Sequence, residues 1–124
     1  MAKKKILLVD DEESLTKLIK LNLEATGHFE VAIENHGAKA LKAARVFHPD
    51  IILLDVVMPD MEGSEVARQM KEDSLLKSIP IIFLTATVTA EEVSQSGGTI
   101  GGINFLSKPV NVQQLIEAIS SQLP

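Results

Sequence analysis

The chain has 124 residues, a formal net charge of −5, no cysteine, and four aromatic residues that are all phenylalanine. This length is typical of one domain with a core that needs no disulfide, and we expect a single domain over residues 1–124. The acidic charge and the missing tyrosine and tryptophan argue against direct nucleic-acid binding. No apolar run approaches a membrane span, and no secretory signal follows Lys3–Lys5. We therefore expect a soluble, cytoplasmic protein without a membrane anchor.

The first half of the chain alternates strand and helix patterns. Short apolar runs predict strands at 4–9 and 29–33, and apolar residues at helical spacing predict helices at 14–25 and 38–47. Gly27 suits the end of the first helix. That helix is expected to bury one stripe of side chains, formed by Leu15, Leu18, Ile19 and Leu23.

The second half centres on Ile51–Leu54, four consecutive apolar residues that run directly into Asp55. Such a run is typical of a strand buried on both faces in the middle of a parallel sheet. A third helix is expected after Ser64, which we assign as its N-cap. The remaining elements are a strand at 81–84 ending in Thr85, a weak helix at 89–96, a glycine-rich connection at 97–102, a strand at 103–106 and a helix at 112–123.

Strands that alternate with helices five times predict an α/β fold, a doubly wound five-stranded parallel sheet with five helices. In such a sheet the carboxyl ends of all strands lie at one edge, where these folds bind ligands. Polar residues follow four of the five strands. They are Asp10, Asp11, Asp55, Thr85 and Lys108.

These side chains together suggest phosphoryl chemistry on Asp55. Three carboxylates in one crevice repel each other, and Mg²⁺ would remove that conflict because it prefers oxygen ligands. Lys108 would add a positive charge and Thr85 a hydrogen-bond donor, an arrangement suited to placing a phosphoryl group on a carboxylate. Taken singly, each residue also has an ordinary interpretation: Asp11 could simply cap the first helix, and Asp55 could be a turn residue.

Four segments resemble the signature of response-regulator receiver domains, in the family's order and spacing over essentially the whole chain. They are Leu8–Glu12, Leu54–Pro59 with Gly63, Leu84–Ala86 and Phe105–Pro109. The resemblance implies a flavodoxin-like sheet with strand order 2-1-3-4-5. It also implies a signalling switch rather than an enzyme acting on other molecules, one that catalyses only its own phosphorylation and dephosphorylation.

The resemblance also assigns roles. Asp55 would be the phosphoacceptor. Asp11, the Asp55 carboxylate and the backbone carbonyl of Val57 would ligate Mg²⁺, with Asp10 acting through water. Lys108 and Thr85 would contact the phosphoryl oxygens, and Thr85 with Phe105 would form the switch. The remaining implications are a cis peptide at Lys108–Pro109 and slow self-dephosphorylation, the latter because Val57 and Thr87 cannot orient a water well.

By the same resemblance, the phosphodonor would be a sensor histidine kinase or a histidine phosphotransfer protein. Output would pass to a downstream protein or to a domain outside this chain, and a phosphorylation-dependent homodimer is a further option. The glycine-rich connection departs from the family pattern and leaves the surface around the fourth helix open. His28, His36 and His48 are expected in turns away from the acids, without a phosphoryl or metal role.

Three other functions remain as alternatives. A phosphatase of the haloacid-dehalogenase type also uses an aspartyl phosphate, but it needs a second acid two residues on, where this chain has Val57. A degenerate receiver acting only as a scaffold would not need the five polar residues at the strand ends. A flavin-binding protein would share the topology, but the chain has no tyrosine or tryptophan to stack on the flavin.

Overall fold

The computed structural model describes residues 3–85, 99–100, 103–108 and 110–123. Six strands form one sheet: β1 (Lys4–Val9), β2 (Phe29–Glu34), β3 (Ile51–Asp55), β4 (Ile81–Thr85), β5 (Thr99–Ile100) and β6 (Ile103–Ser107). Four α-helices lie in the described segments: α1 (Glu13–Ala25), α2 (Ala40–Phe47), α3 (Gly63–Glu72) and α4 (Val112–Gln122). No helix in these segments is long and apolar enough to cross a membrane.

The strand order is β2-β1-β3-β4-β6-β5. The first five strands in this order pair in parallel, which confirms the predicted topology. The two-residue strand β5 was not predicted; it adds antiparallel to β6 at the sheet edge, within the glycine-rich connection. The predicted helix at 89–96, Thr87 and Pro109 lie outside the described residues.

The core has one apolar layer on each face of the sheet, which explains the unbroken apolar runs. In β3, Ile51 and Leu53 pack into the layer that includes α1 and α4, whereas Ile52 and Leu54 pack into the layer with α2 and α3. Successive strand residues point to opposite faces, so a strand covered on both sides must be apolar at every position. This burial holds the carboxyl end of β3, and therefore Asp55, in the middle of the sheet edge.

Two local predictions are wrong. Helix α3 begins at Gly63 rather than after Ser64, and its N-cap residue, Glu62, makes no side-chain capping bond. Leu18, predicted to lie on the buried stripe of α1, is 55% exposed, while Thr16 is buried. Gly27 was assigned correctly: its φ of 81° is the left-handed conformation that ends helices.

Candidate functional site

Three carboxylates meet at the carboxyl edge of the sheet, as the sequence predicted. Asp10 follows β1 and is fully buried, Asp55 ends β3 and is 4% exposed, and Asp11 is exposed at the rim. One carboxylate oxygen from each lies within 4.8 Å of the others. The strand register explains why Asp10 and Asp55 are close. Val9 of β1 pairs with Leu54 of β3, so the residues that follow them, Asp10 and Asp55, lie side by side at the sheet edge.

A glycine fixes the backbone at Asp55. The N–H of Gly63 donates to the Val56 carbonyl at 2.8 Å, which closes the loop between β3 and α3. A Cβ atom on residue 63 would lie 2.2 Å from the Asp55 carbonyl oxygen, far inside van der Waals contact. Only glycine lets the first turn of α3 pack this closely on the end of β3.

Lys108 lies at the centre of the acid cluster. Its Nζ is 2.8 Å from Asp10 Oδ2, 3.0 Å from Glu12 Oε1 and 3.4 Å from Asp55 Oδ1. The backbone anchors it as well, since its N–H donates to the Thr85 carbonyl at 2.8 Å. Burial opposes the charge on the ammonium, but the hydrogen bonds and charges of the surrounding carboxylates outweigh it, and the pKa of Lys108 is raised.

The pKa of Asp55 is raised from its ordinary value of 3.8 to about 6. Burial is the largest cause and the negative charge of Asp10 the second. The charge and hydrogen bond of Lys108, and a hydrogen bond from the Val57 backbone, oppose the shift without cancelling it. The cluster therefore holds more negative charge than its single ammonium compensates.

This donor set fits Mg²⁺. The buried oxygen Asp10 Oδ2 has Lys108 as its partner, at 2.8 Å, and accepts no hydrogen bond from any other described residue. Oxygen-only ligands with excess negative charge are what Mg²⁺ prefers, and the residues that would hold it are Asp10, Asp11 and Asp55. Bound there, the ion would supply positive charge to phosphoryl oxygens. The role predicted for the Val57 carbonyl stays a prediction; its side chain is 61% exposed.

Of the two predicted switch residues, Thr85 lies beside this cluster and Phe105 lies further back along β6. Thr85 ends β4, is buried, and pairs in register with Ser107 of β6. Phe105 of β6 is half-buried and stacks on its cross-strand neighbour Phe83, with ring centroids 5.4 Å apart and an interplanar angle of 27°. The movement of both residues on phosphorylation stays a prediction.

The structure also places residues near the site to which the sequence analysis gave no role. Glu12 pairs with Lys108. His36 does not lie away from the acids, contrary to expectation: it lines one surface depression together with Asp11, Glu13, Asn35, Pro59 and Asp60. His28 and His48 precede β2 and β3 and lie toward the opposite sheet edge, as expected. The strand-end argument could have found Asn35, which follows β2, but not Asp60, whose approach depends on loop packing.

The class of protein is defined by the strand order together with the two acids after β1, the buried Asp55 at the end of β3 and Lys108 after β6. The family model of the response regulator receiver domain matches residues 6–120, and the chain belongs to this family.

Relatives and solved structures agree with this assignment. The chain is 38% identical over 122 residues to the polar-differentiation response regulator DivK of Brucella ovis, covering 97% of this chain and 96% of that protein. It is similar to the chemotaxis protein CheY4 of Vibrio cholerae, with 33% identity, a TM-score of 0.83, and coverage of 98% of this chain and all of that one. The N-terminal domain of a response regulator receiver protein from Methanoculleus marisnigri shares 32% identity with this chain, with a TM-score of 0.72 and coverage of 98% of each chain.

Proposed function

We propose that this receiver domain is a phosphorylation-dependent switch that accepts a phosphoryl group on Asp55 in a Mg²⁺-dependent reaction. The observation that carries the proposal is the environment of Asp55. A nearly buried carboxylate at the sheet edge lies 3.4 Å from the Lys108 ammonium and within 4.8 Å of two further carboxylates. A structural ion pair would not need three acids around one base.

In the reaction, a carboxylate oxygen of Asp55 attacks the phosphorus of a phosphohistidine. The new bond joins this oxygen to phosphorus, the bond from phosphorus to the imidazole nitrogen breaks, and the imidazole leaves with the electron pair. Lys108 offsets the negative charge of the incoming oxygens. Because the pKa of Asp55 is about 6, roughly nine-tenths of the carboxyl is ionised and nucleophilic at pH 7 even without a cation.

The donor in this proposal is a sensor histidine kinase or a histidine phosphotransfer protein, as for receivers generally. Output passes to a partner protein or a further domain, with a phosphorylation-dependent homodimer as one form of output. The chain catalyses its own phosphorylation and dephosphorylation and no reaction on another substrate, and we assign it to the cytoplasm. Membership of the receiver family supports each of these points.

The direct test is phosphorylation by acetyl phosphate with Mg²⁺, followed by intact-mass spectrometry. The wild-type protein should gain one phosphoryl group, and Asp55→Asn should gain none. Asp50→Asn is a matched control, because Asp50 is exposed just before the same strand. A gain in Asp55→Asn equal to that of the wild type would refute the phosphoacceptor assignment.

A further inference from the structure

The turn between β2 and α2, residues 35–38, runs into a short 3₁₀ helix (Gly37–Lys39) and contacts both loops that would hold the cation. The first loop, residues 10–12, carries Asp10 and Asp11. The second, residues 56–62, carries Val57, whose backbone hydrogen-bonds to the Asp55 carboxylate. The turn follows a different strand from either loop and contributes none of the cation's expected ligands.

On one side, Asn35 fastens the turn to the first loop. Its Nδ2 donates to the backbone carbonyl of Asp10 at 2.7 Å and to Thr16 Oγ1 at 3.2 Å. Thr16 is buried in α1, and its hydroxyl donates to the Glu13 carbonyl at 3.0 Å. One amide group therefore ties the Asp10 backbone to the start of α1 and to the end of β2.

On the other side, Asp60 fastens the turn to the second loop. Its Oδ1 accepts from the Gly37 N–H at 3.2 Å and its Oδ2 from the Ala38 N–H at 3.0 Å. The bond from Ala38 is the main reason that the pKa of Asp60 is lowered.

The backbones also pack together closely here. A Cβ atom on residue 37 would lie 2.9 Å from the Met61 carbonyl oxygen and 3.1 Å from Met58 Cε. Met58 is itself buried. Glycine at this position therefore lets the backbone of the turn pack directly against the second loop.

We infer that residues 35–38 act as a brace that keeps the two loops of the cation site from moving apart, with Asn35 of the turn and Asp60 of the second loop as the positioning residues. A Mg²⁺ ion tolerates little distortion of its ligand geometry, so loops free to move apart would bind it less tightly. Side chains that orient metal ligands typically change metal affinity by about tenfold or more when they are removed. The inference rests on the proposed Mg²⁺ site.

The test compares Asn35→Ala, Asp60→Ala and the double variant with the wild type. The chain has no tryptophan or tyrosine, so Mg²⁺ affinity is best measured by amide shifts in NMR titrations. Melting temperature with Mg²⁺ or with chelator gives a second readout. We expect each single variant to bind Mg²⁺ about tenfold more weakly and to lose most of its Mg²⁺-dependent rise in melting temperature.

The double variant distinguishes one brace from two separate contacts. Removing either contact already releases one loop from the brace. The double variant should therefore bind Mg²⁺ no more weakly than the single variant with the larger loss of affinity. If the fold-losses of the two single variants multiply in the double variant, the brace is refuted. Asp50→Ala is the control for a merely structural loss. Asp50 also accepts a backbone N–H, from Lys5 at 2.8 Å, but at the opposite sheet edge. The Asp50→Ala variant should have a lower melting temperature than the wild type and the same Mg²⁺ affinity.

Wild-type affinity in Asp60→Ala would overturn the inference while leaving the Mg²⁺ site intact. If Asp60→Ala does not fold, Asp60→Asn carries the same comparison, since it keeps the side-chain shape and loses one acceptor. A wild-type protein that does not respond to Mg²⁺ would refute the proposed cation site itself and the brace with it.

Discussion

At Asp55, burial and charge act in opposite directions. Burial and the nearby Asp10 favour its protonated form, and Lys108 favours its ionised form. This conflict costs free energy in the metal-free protein because the unfolded chain does not have it. In the proposed function, the same conflict would favour cation binding, since a cation bound to the folded state alone stabilises that state.

The pH dependence of stability should reveal this cost. The pKa of Asp55 is about 6 in the folded protein and returns to its ordinary 3.8 on unfolding, so between these values only the folded state holds the proton. The contribution of Asp55 to stability in chelator should therefore fall as pH rises from about 4 to 6, by on the order of 3 kcal/mol. Asp55→Asn removes this loss, so at pH 7 it should be more stable than the wild type by about that amount, and near pH 4 equally stable.

Urea unfolding of both proteins at several pH values in chelator gives the difference directly. Asp60 and Asp73 have lowered pKa values and add stability that is lost as pH falls, but they are present in both proteins and cancel. A difference between Asp55→Asn and the wild type that does not change with pH would contradict the assigned pKa.

Sequence reasoning located the acid cluster because its residues follow strands, and parallel strands share one edge. It did not predict that His36 lies near Asp11, or that Asn35 and Asp60 bridge the loops. These three residues lie in turns, and the path of a turn depends on tertiary packing that local pattern does not encode. The close packing of Gly37, which has no Cβ atom, against the Met61 carbonyl is one such detail.

At the scale of the elements, strand positions could be predicted well and helix details less well. A buried strand requires apolar residues at every position, whereas a helix presents only one stripe to the core. The rotation is about 100° per residue, so Leu18 lies roughly 200° from the buried Thr16 and faces solvent. Thr16 can occupy the core because its hydroxyl has partners in Glu13 and Asn35. A pattern of apolar residues does not predict a buried threonine whose hydroxyl forms hydrogen bonds.

The helix N-termini give a matched pair for mutation. Asn111 caps α4, since its Oδ1 accepts from the Gln114 N–H at 3.1 Å. Ser64 lies inside α3, and the cap residue of that helix makes no side-chain bond. Asn111→Ala should lower the free energy of unfolding by about 1 kcal/mol. Ser64→Ala should leave it unchanged or raise it by a few tenths, because alanine is the better helix former.

Urea unfolding in chelator measures both variants against the wild type. Each substitution removes a polar side chain near the start of a helix, so the lost hydration of that side chain affects the free energy of unfolding similarly in both variants. The difference between the variants therefore reports the capping bond. A loss in Ser64→Ala as large as that in Asn111→Ala would mean that Ser64 caps its helix in solution.

At the scale of the whole molecule, the sheet connects the acid cluster to its far edge. Strands β4 and β6 pair directly, with Thr85 opposite Ser107 and Phe83 opposite Phe105. The two phenylalanines lie on the same face of the sheet as α2 and α3. A switch that moves Phe105 would therefore have to break its stacking on Phe83, a contact worth about 0.5–1.5 kcal/mol.

This contact makes the switch testable without phosphorylation. If phosphorylation turns Phe105 away from its present position, Phe83→Leu should raise the population of the turned state by up to about tenfold, because it removes stacking that only the unphosphorylated state has. Amide signals of residues 103–108 in the unphosphorylated variant should then shift part of the way toward their positions in wild-type protein with Mg²⁺ and beryllofluoride. Phe29→Leu is the control, since Phe29 is a buried ring in the apolar layer on the other face. Equal shifts in both variants, or none in Phe83→Leu, would mean that the Phe83–Phe105 contact does not hold the switch.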